Sequence, residues 1–249
     1  MRLCAGYVLA AASVLTACGG GGGGGGGSDA SPSPAPVTPA TSAEGFWSGK
    51  SSTGYDVSVA VLENGETWGV FGQNGSLYGA LHGSTASSNG ALTGTGHEFN
   101  LVSRTVAASS YTGTYAARSA IQFRLPTGVS VQGAYSAAYD QPASLATLAG
   151  TYTGSGVATG APVQALSVTI SAMGAVSSPP SLGCTASGSV VPRASGKNVF
   201  DLRVTFSGAS CALGDGASVS GVAYADSGNL LALGLLPSQT AGFIFTGKK

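Results

Sequence analysis

The sequence predicts an all-β protein of two tandem small antiparallel up-and-down β-barrels, or sandwiches, that follow a disordered linker rich in Gly and Pro. Three observations predict this fold. Apolar and polar residues alternate with a period of two, as in strands that bury one face. Turn-forming residues recur about every eight to twelve residues, which is the spacing of short hairpins. A motif of glycine, aromatic and glycine residues occurs twice, near the start of each half of the folded part.

The alternation is clearest in three segments, and no segment carries a convincing helical repeat. Residues 56–61 read DVSVAV, residues 166–171 read LSVTIS, and residues 199–206 read VFDLRVTF. Asn-Gly pairs between such segments favour two-residue hairpin turns, because both central residues take positive φ. The predicted turns are Glu63-Asn64-Gly65-Glu66, Gln73-Asn74-Gly75-Ser76, Ser88-Asn89-Gly90-Ala91, Pro126-Thr127-Gly128, Ser195-Gly196-Lys197-Asn198, Gly214-Asp215-Gly216 and Asp226-Ser227-Gly228-Asn229.

The repeated motif predicts two equivalent β units. Gly45-Phe46-Trp47-Ser48-Gly49 and Gly150-Thr151-Tyr152-Thr153-Gly154 share the pattern Gly-x-aromatic-[Ser/Thr]-Gly. We place the first unit at residues 44–141 and the second at 147–249, with about seven or eight strands in each. Closure into a barrel removes exposed sheet edges, whereas a sandwich is the alternative architecture.

The first residues have the pattern of a signal peptide. Met1-Arg2 is followed by an uncharged apolar run through residue 17 that is too short and Ala-rich for a stable membrane span. Leu15-Thr16-Ala17-Cys18 resembles the lipobox of bacterial lipoproteins. The resemblance implies cleavage of residues 1–17, acylation of Cys18, and, because Gly19 follows, sorting to the outer membrane of a Gram-negative cell. An ordinary secretory leader with an incidental cysteine is the alternative.

Residues 18–43 are predicted to be a lipidated, disordered tether. Glycines occupy Gly19–Gly27, where a chain loses too much entropy on ordering to fold. Prolines then favour extended geometry without hydrogen-bonded structure. These prolines are Pro32, Pro34, Pro36 and Pro39.

Composition excludes one function class. Only 8% of residues are charged and the formal net charge is zero. A nucleic-acid-binding protein needs clustered Lys and Arg to displace counterions, and the basic residues here are scattered. We therefore expect no nucleic-acid partner.

The cysteines predict one structural disulfide. Cys4 is removed with the leader and Cys18 carries lipid, so Cys184 and Cys211 remain as a pair in an oxidising compartment. A redox or nucleophilic role would need a close pair of cysteines or a neighbouring histidine in the sequence, and neither is present.

The sequence carries no catalytic motif, and we predict neither an enzyme nor a cofactor. One weak metal-site candidate exists. If Asn89-Gly90 forms a two-residue turn, His82 lies directly opposite His97, while Glu98 points to the other face of the sheet. Two imidazoles are half of a typical zinc site, so a cross-strand contact is the simpler interpretation.

The layout of lipobox, Gly-rich tether and barrels resembles Gram-negative surface lipoproteins such as transferrin-binding protein B and factor H-binding protein. The residues that resemble their barrel strands and tail are Gly69-Val70-Phe71-Gly72, Leu77-Tyr78-Gly79 and Phe245-Thr246-Gly247-Lys248. The resemblance implies a non-enzymatic protein that presents a β surface to a host or envelope protein, facing either the cell surface or the periplasm.

Other classes stay open at this stage. Gly45-Phe46-Trp47 resembles the first-strand motif of lipocalins, which implies a small-ligand carrier with an empty barrel interior. An envelope-structural lipoprotein is a further alternative. A membrane-spanning barrel is disfavoured, because several predicted strands are shorter than the roughly nine to eleven residues that a spanning strand needs.

Overall fold

The alternating segments form antiparallel strands that close into two barrels in tandem, as the sequence predicts. The computed structural model describes residues 41–249. The predicted signal peptide, Cys18 and the linker through residue 40 lie outside the described residues.

The first barrel contains eight strands, each hydrogen-bonded to the next in sequence, and its last strand pairs with its first. The strands are β1 Gly45–Ser51, β2 Asp56–Val61, β3 Glu66–Gln73, β4 Ser76–Ser88, β5 Ala91–Asn100, β6 Thr105–Ala116, β7 Ala120–Arg124 and β8 Ser130–Ser136.

A 3₁₀ turn, Ala137–Asp140, and the short helix α1, Leu145–Leu148, connect the barrels. Among the described residues, neither is long and apolar enough to cross a membrane. The second barrel has the same topology, with β16 closing onto β9. Its strands are β9 Gly150–Ala158, β10 Gln164–Ile170, β11 Ala175–Ser181, β12 Cys184–Pro192, β13 Phe200–Ser207, β14 Ser218–Asp226, β15 Asn229–Leu235 and β16 Gly242–Lys248.

The turn between β4 and β5 has the geometry that its sequence predicts. Asn89 and Gly90 have φ of 50° and 80°, which a two-residue turn of this class requires. Ser88 pairs with Ala91, and the same register places His82 opposite His97. The predicted cross-strand pair is therefore confirmed.

The repeated Gly-x-aromatic motif occupies the same place in both barrels. The Trp47 indole donates to the carbonyl of Ala43 at 2.9 Å, and the Tyr152 hydroxyl donates to the carbonyl of Leu148 at 2.7 Å. Each aromatic ring is thus buried inside its barrel. Its hydrogen bond keeps the residue four positions earlier in place over that end of the barrel. We call this end of each barrel the closed end, and the opposite end the mouth.

The second glycine of each motif allows the first and last strands to approach closely. Gly49 pairs with Gly133, and Gly154 pairs with Gly247. A Cβ atom at Gly49 or Gly154 would overlap a carbonyl of the last strand, at 1.8 or 2.0 Å. The glycine is therefore required where each barrel closes.

The two barrels pack side by side through their outer faces and share a hydrophobic core. Phe46 is central to it: its ring stacks on Tyr224 at 4.1 Å between centroids and meets Tyr139 edge-on at 5.0 Å. Leu231 and Leu233, on the outer face of β15, are buried in the same cluster. This explains why β15 is apolar on both faces, since one faces its own barrel and the other faces the first barrel.

The two barrels contact each other closed end to closed end and mouth to mouth. At the closed ends, the backbone N–H of Asn198 donates to the carbonyl of Tyr139 at 3.1 Å. At the mouth ends, Leu101 of the first barrel lines a small gap together with Thr159 and Phe243 of the second. Both mouths therefore open toward the same side of the two-barrel unit.

The described chain begins at the closed end of the first barrel. The Tyr115 hydroxyl donates to the carbonyl of Thr41, and the N–H of Ala43 donates to the hydroxyl of Ser87. Residue 41 therefore lies at the end opposite to the mouths.

Candidate ligand cavity of the first barrel

The mouth half of the first barrel encloses a cavity of about 400 Å³. Its wall is mainly apolar, and Tyr55 and the turn 125–129 border its opening. Cavities of this size and lining are typical of small-molecule sites. The apolar residues in the lining are Val57, Val59, Gly69, Val70, Phe71, Leu81, Phe123, Leu125, Val129 and Val131.

The closed half of the same barrel is filled by side chains. Trp47, Leu92, Tyr115 and Ile121 pack there in one buried cluster. The cavity therefore ends inside the barrel and does not pass through it.

Three hydroxyl groups lie where the cavity meets the filled half. Thr85 is hydrogen-bonded to Thr67 at 2.6 Å and to the Tyr111 hydroxyl at 2.7 Å. Burial raises the pKa of Tyr111, so its hydroxyl remains protonated at neutral pH. The inner end of the cavity is therefore polar, but its three hydroxyl groups already have one another as hydrogen-bond partners.

One row of neighbouring residues crosses the cavity wall. The register pairs Val59 with Gly69, Gly69 with Leu81, and Leu81 with Glu98. A Cβ atom at Gly69 would have ordinary contacts of 3.5 Å or more, and the position has no positive φ. Gly69 therefore leaves space in the cavity that a larger side chain would fill.

Glu98 is the one charged residue in the described lining of this cavity. Its side chain points inward, as the alternation predicts, whereas His97 on the same strand is exposed. Within residues 41–249, no hydrogen bond or ion pair joins another side chain to the Glu98 carboxylate. A carboxylate on an apolar wall is costly unless a ligand or solvent pairs with it.

The barrel wall is incomplete beside Glu98. Thr112 of β6 pairs with Arg124, the last residue of β7, so residues 105–111 extend beyond β7 and pair only with β5 in the described part of the chain. Glu98 pairs with Ala107 in this extension. The mouth therefore continues down the side of the barrel next to Glu98.

The second barrel also has a cavity at its mouth, of about 330 Å³. Residues of the loop 208–217 line it, and Cys211 of that loop is bonded to Cys184 at the start of β12. The predicted disulfide is therefore confirmed. No charged residue belongs to the described lining of this second cavity.

The histidine pair lies on the outer face of the first barrel, away from the cavity. His82 packs against the Trp68 ring at 4.1 Å between centroids, and its Nε2 atom lies 3.5 Å from a carboxylate oxygen of Glu66. Within residues 41–249, no group of three or more His, Cys, Asp or Glu side chains is placed to hold a metal ion.

An ion network joins the barrels next to this pair. Arg193 of the second barrel donates to Glu63 at 2.8 Å, to Asp201 at 2.7 Å and to Glu66 at 3.4 Å. The pKa of Glu66 is lowered, because hydrogen bonding to His82 and Trp68 and the nearby Arg193 charge outweigh the effect of burial. These contacts fix one barrel against the other.

A scan against protein-family models finds no match to this chain, and a search of curated proteins finds no matching relative.

Sequence patterns identified the disulfide, the repeated Gly-x-aromatic motif and the histidine register, but not the cavity or the part that the motif plays in closing each barrel. Alternation shows which residues share a face of a strand, and it places Glu98 on the face opposite to His97. One signal was present, since Glu98 stands on that opposite, inward face of β5. A carboxylate there is unusual for the filled interior of a small barrel. The glycines before it on the same face, Gly94 and Gly96, do not line the cavity, and the Tyr111 ring fills the space beside Gly94.

Proposed function

We propose that this protein is a non-enzymatic outer-membrane lipoprotein whose first barrel binds a small apolar molecule. The observation that carries the proposal is the cavity of about 400 Å³, which is apolar, open at the mouth and sealed at the closed end. Burial of apolar ligand surface in such a site supplies the main binding free energy, and the rigid barrel lowers the cost of ordering the site.

Anchoring through Cys18 is the second part of the proposal. It is supported by the lipobox resemblance of Leu15-Thr16-Ala17-Cys18. Several acyl chains together hold a protein at a bilayer, because each buried CH₂ contributes about 0.8 kcal/mol.

Photolabelling with a neutral alkyl diazirine tests the cavity. The full-length protein is placed in lipid nanodiscs and the labelled peptides are mapped by mass spectrometry. We expect saturable labelling of peptides that line the first barrel. Gly69→Leu, which fills the cavity, should abolish this labelling, while the matched control Gly69→Ala should retain it. Labelling that does not saturate, or that is equal in the two variants, would refute binding in the cavity.

Metabolic labelling tests the anchor separately. Cells that express the full-length chain are grown with radioactive palmitate. The protein should incorporate label, and Cys18→Ser should not. An unlabelled wild-type protein, or a mature amino terminus at another residue, would contradict acylation at Cys18.

A specific observation also favours docking of a protein partner at the mouths. Three of the five large apolar residues that are exposed in the described chain lie on mouth turns: Val102, Val163 and Leu182 are 70%, 47% and 78% exposed. The other two, Met173 and Val191, lie toward the closed end of the second barrel. Exposed apolar side chains on neighbouring turns are typical of interaction sites. This second candidate keeps the surface-lipoprotein interpretation and does not compete with a ligand inside the barrel.

Native mass spectrometry of the protein purified from its own host separates the two candidates. A bound small molecule that is lost in Gly69→Leu supports the carrier. A stoichiometric protein that is lost when Val102, Val163 and Leu182 are all replaced by Ser supports docking. Trypsin treatment of intact cells then distinguishes display at the surface from a periplasmic location, since only a surface-exposed protein is cleaved.

A further inference from the structure

We infer that the ligand of the first barrel is an apolar molecule that carries an ammonium group, which Glu98 binds. This inference rests on the proposed ligand-binding function and adds the chemical class of the ligand. It follows from the position of a single carboxylate in an otherwise apolar cavity wall.

The position of Glu98 is not explained by the fold. Its neighbours in the row across the wall are Leu81 and Ala107, which provide no charge or hydrogen-bond donor to the carboxylate. Asp56 pairs with Lys50 at 2.6 Å and Glu66 accepts from Trp68 at 3.0 Å, whereas Glu44 at the closed end resembles Glu98 in having no partner among the described residues. Glu98 differs from Glu44 because it lines the cavity. Glu98 therefore has unused capacity to accept hydrogen bonds, directed into the cavity.

The chemistry of the surroundings selects a cation. A carboxylate accepts strong, short hydrogen bonds from a charged N–H donor, and such bonds strengthen where the neighbouring wall is apolar. An anionic ligand would be repelled, and a neutral alcohol would form the weaker, uncharged kind of hydrogen bond. The alkyl part of the ligand would occupy the space beside Gly69 and Phe71, while its ammonium group lies at the lateral opening next to Glu98.

Competition against the neutral diazirine probe tests this inference. Hexylammonium, hexanol and hexanoate have alkyl chains of equal length and differ in the charge of the head group. They are compared at equal free aqueous concentrations on the full-length protein in nanodiscs, with protein-free nanodiscs as the blank. Hexylammonium should displace the probe at a concentration about tenfold to hundredfold lower than hexanol, and hexanoate should be the weakest.

Glu98→Gln is the decisive variant, because it keeps the shape of the side chain and removes its charge. The advantage of hexylammonium over hexanol should disappear, while the neutral probe still labels the cavity. The control Glu44→Gln, at the closed end, should keep the advantage.

The outcomes separate the two proposals. Saturable labelling with equal competition by hexylammonium and hexanol, or an advantage that survives in Glu98→Gln, would overturn the ammonium inference and leave ligand binding intact. The absence of saturable labelling in the wild-type protein would overturn ligand binding itself.

Discussion

The two barrels share one frame and differ in what they enclose. Both contain eight antiparallel strands, close through a Gly-aromatic-Gly motif and open on the same side. Their fifth strands, β5 and β13, differ in the size of their inward residues. The inward residues of β13 are large, whereas those of β5 are mostly small: Phe200, Leu202, Val204 and Phe206 against Leu92, Gly94, Gly96 and Glu98. Equal topology therefore does not imply an equal interior.

The two barrels also differ in the segments that form their mouths. Short turns border the first cavity, whereas residues of the longer loop 208–217, fastened by the disulfide, line the second. In the loop, the Asp215 carboxylate accepts from the N–H of Gly208 at 2.8 Å, which adds a second restraint. The two mouths therefore lead to cavities of similar size, and they differ in the disulfide that fastens the second mouth and in the carboxylate, Glu98, that lines the first cavity.

The largest loss of stability is expected at the second position of the Gly-x-aromatic motif, which has different surroundings in the two barrels. Phe46 lies in the core between the barrels, whereas Thr151, at the same motif position, is exposed. Phe46→Ala should lower the free energy of unfolding by about 3 to 5 kcal/mol, because it removes a large buried ring. The matched change Thr151→Ala should cost less than about 0.5 kcal/mol, as is usual for surface substitutions. Urea titration followed by circular dichroism measures both, and equal losses would contradict the shared core.

Removal of the disulfide tests how much the bond between Cys184 and Cys211 contributes to the stability of the second barrel. The double variant Cys184→Ala, Cys211→Ala should lose about 3 to 4 kcal/mol, since the bond closes a loop between residues 27 apart in sequence. Both tryptophans lie in the first barrel, but Trp68 belongs to the core shared with the second barrel, whereas Trp47 is buried inside the first. With Trp68→Phe as the background, the fluorescence of Trp47 therefore reports on the first barrel.

Because the barrels share a core, the tryptophan transition should shift together with the circular dichroism transition. The Trp68→Phe protein without reductant is the reference. A fluorescence transition that stays in place while circular dichroism shifts would show that the barrels unfold independently.

These comparisons also show how far the sequence determines the fold. Period-two alternation and Asn-Gly turns predict the strands and hairpins, because both depend on neighbouring residues. The two motif copies predict the repeated unit, and Cys184 and Cys211 predict the bond. All of these signals are local or involve few residues.

The cavity and the packing of the barrels depend on residues far apart in sequence. The cavity is lined by residues of several strands, among them Gly69 on β3 and Glu98 on β5, so no single strand encodes it. Likewise, alternation does not distinguish an outer face that meets solvent from one that meets another barrel. The continuous apolar run of β15 was the available signal, since burial on both faces requires a partner on each side.

A smaller effect is expected from acid at the junction of the barrels. The lowered pKa of Glu66 stabilises the fold above the unfolded-state pKa of about 4.3, and this contribution is lost as pH falls through the folded-state pKa. Glu66→Gln removes this titration. Compared with wild type, the variant should be less stable at pH 7 by about 1 kcal/mol or less and should lose less stability on acidification.

Urea midpoints between pH 6 and pH 3 provide the measurement. Some acid loss should remain in the variant, because the pKa of Asp140 is also lowered: burial raises it, but hydrogen bonds from Lys197 and Tyr135 outweigh that effect. The control Asp56→Asn breaks an exposed ion pair with Lys50 and should change the pH dependence little. An unchanged pH profile in Glu66→Gln would exclude Glu66 as a source of acid sensitivity.

The smallest effect distinguishes the turns at the two mouths. The turn between the third and fourth strands is Asn74-Gly75 in the first barrel and Leu182-Gly183 in the second, and all four residues have positive φ. Asn tolerates this conformation, whereas Leu is strained there and its side chain is exposed. Leu182→Asn should therefore raise the free energy of unfolding by about 0.5 to 1 kcal/mol, and the reverse change Asn74→Leu should lower it by a similar amount. If a partner docks at the mouths, Leu182→Asn should also weaken its binding, so a gain in stability would accompany a loss of affinity. Urea titration and native mass spectrometry measure the two quantities, and a destabilised Leu182→Asn protein would show that the leucine contributes to the fold of the turn.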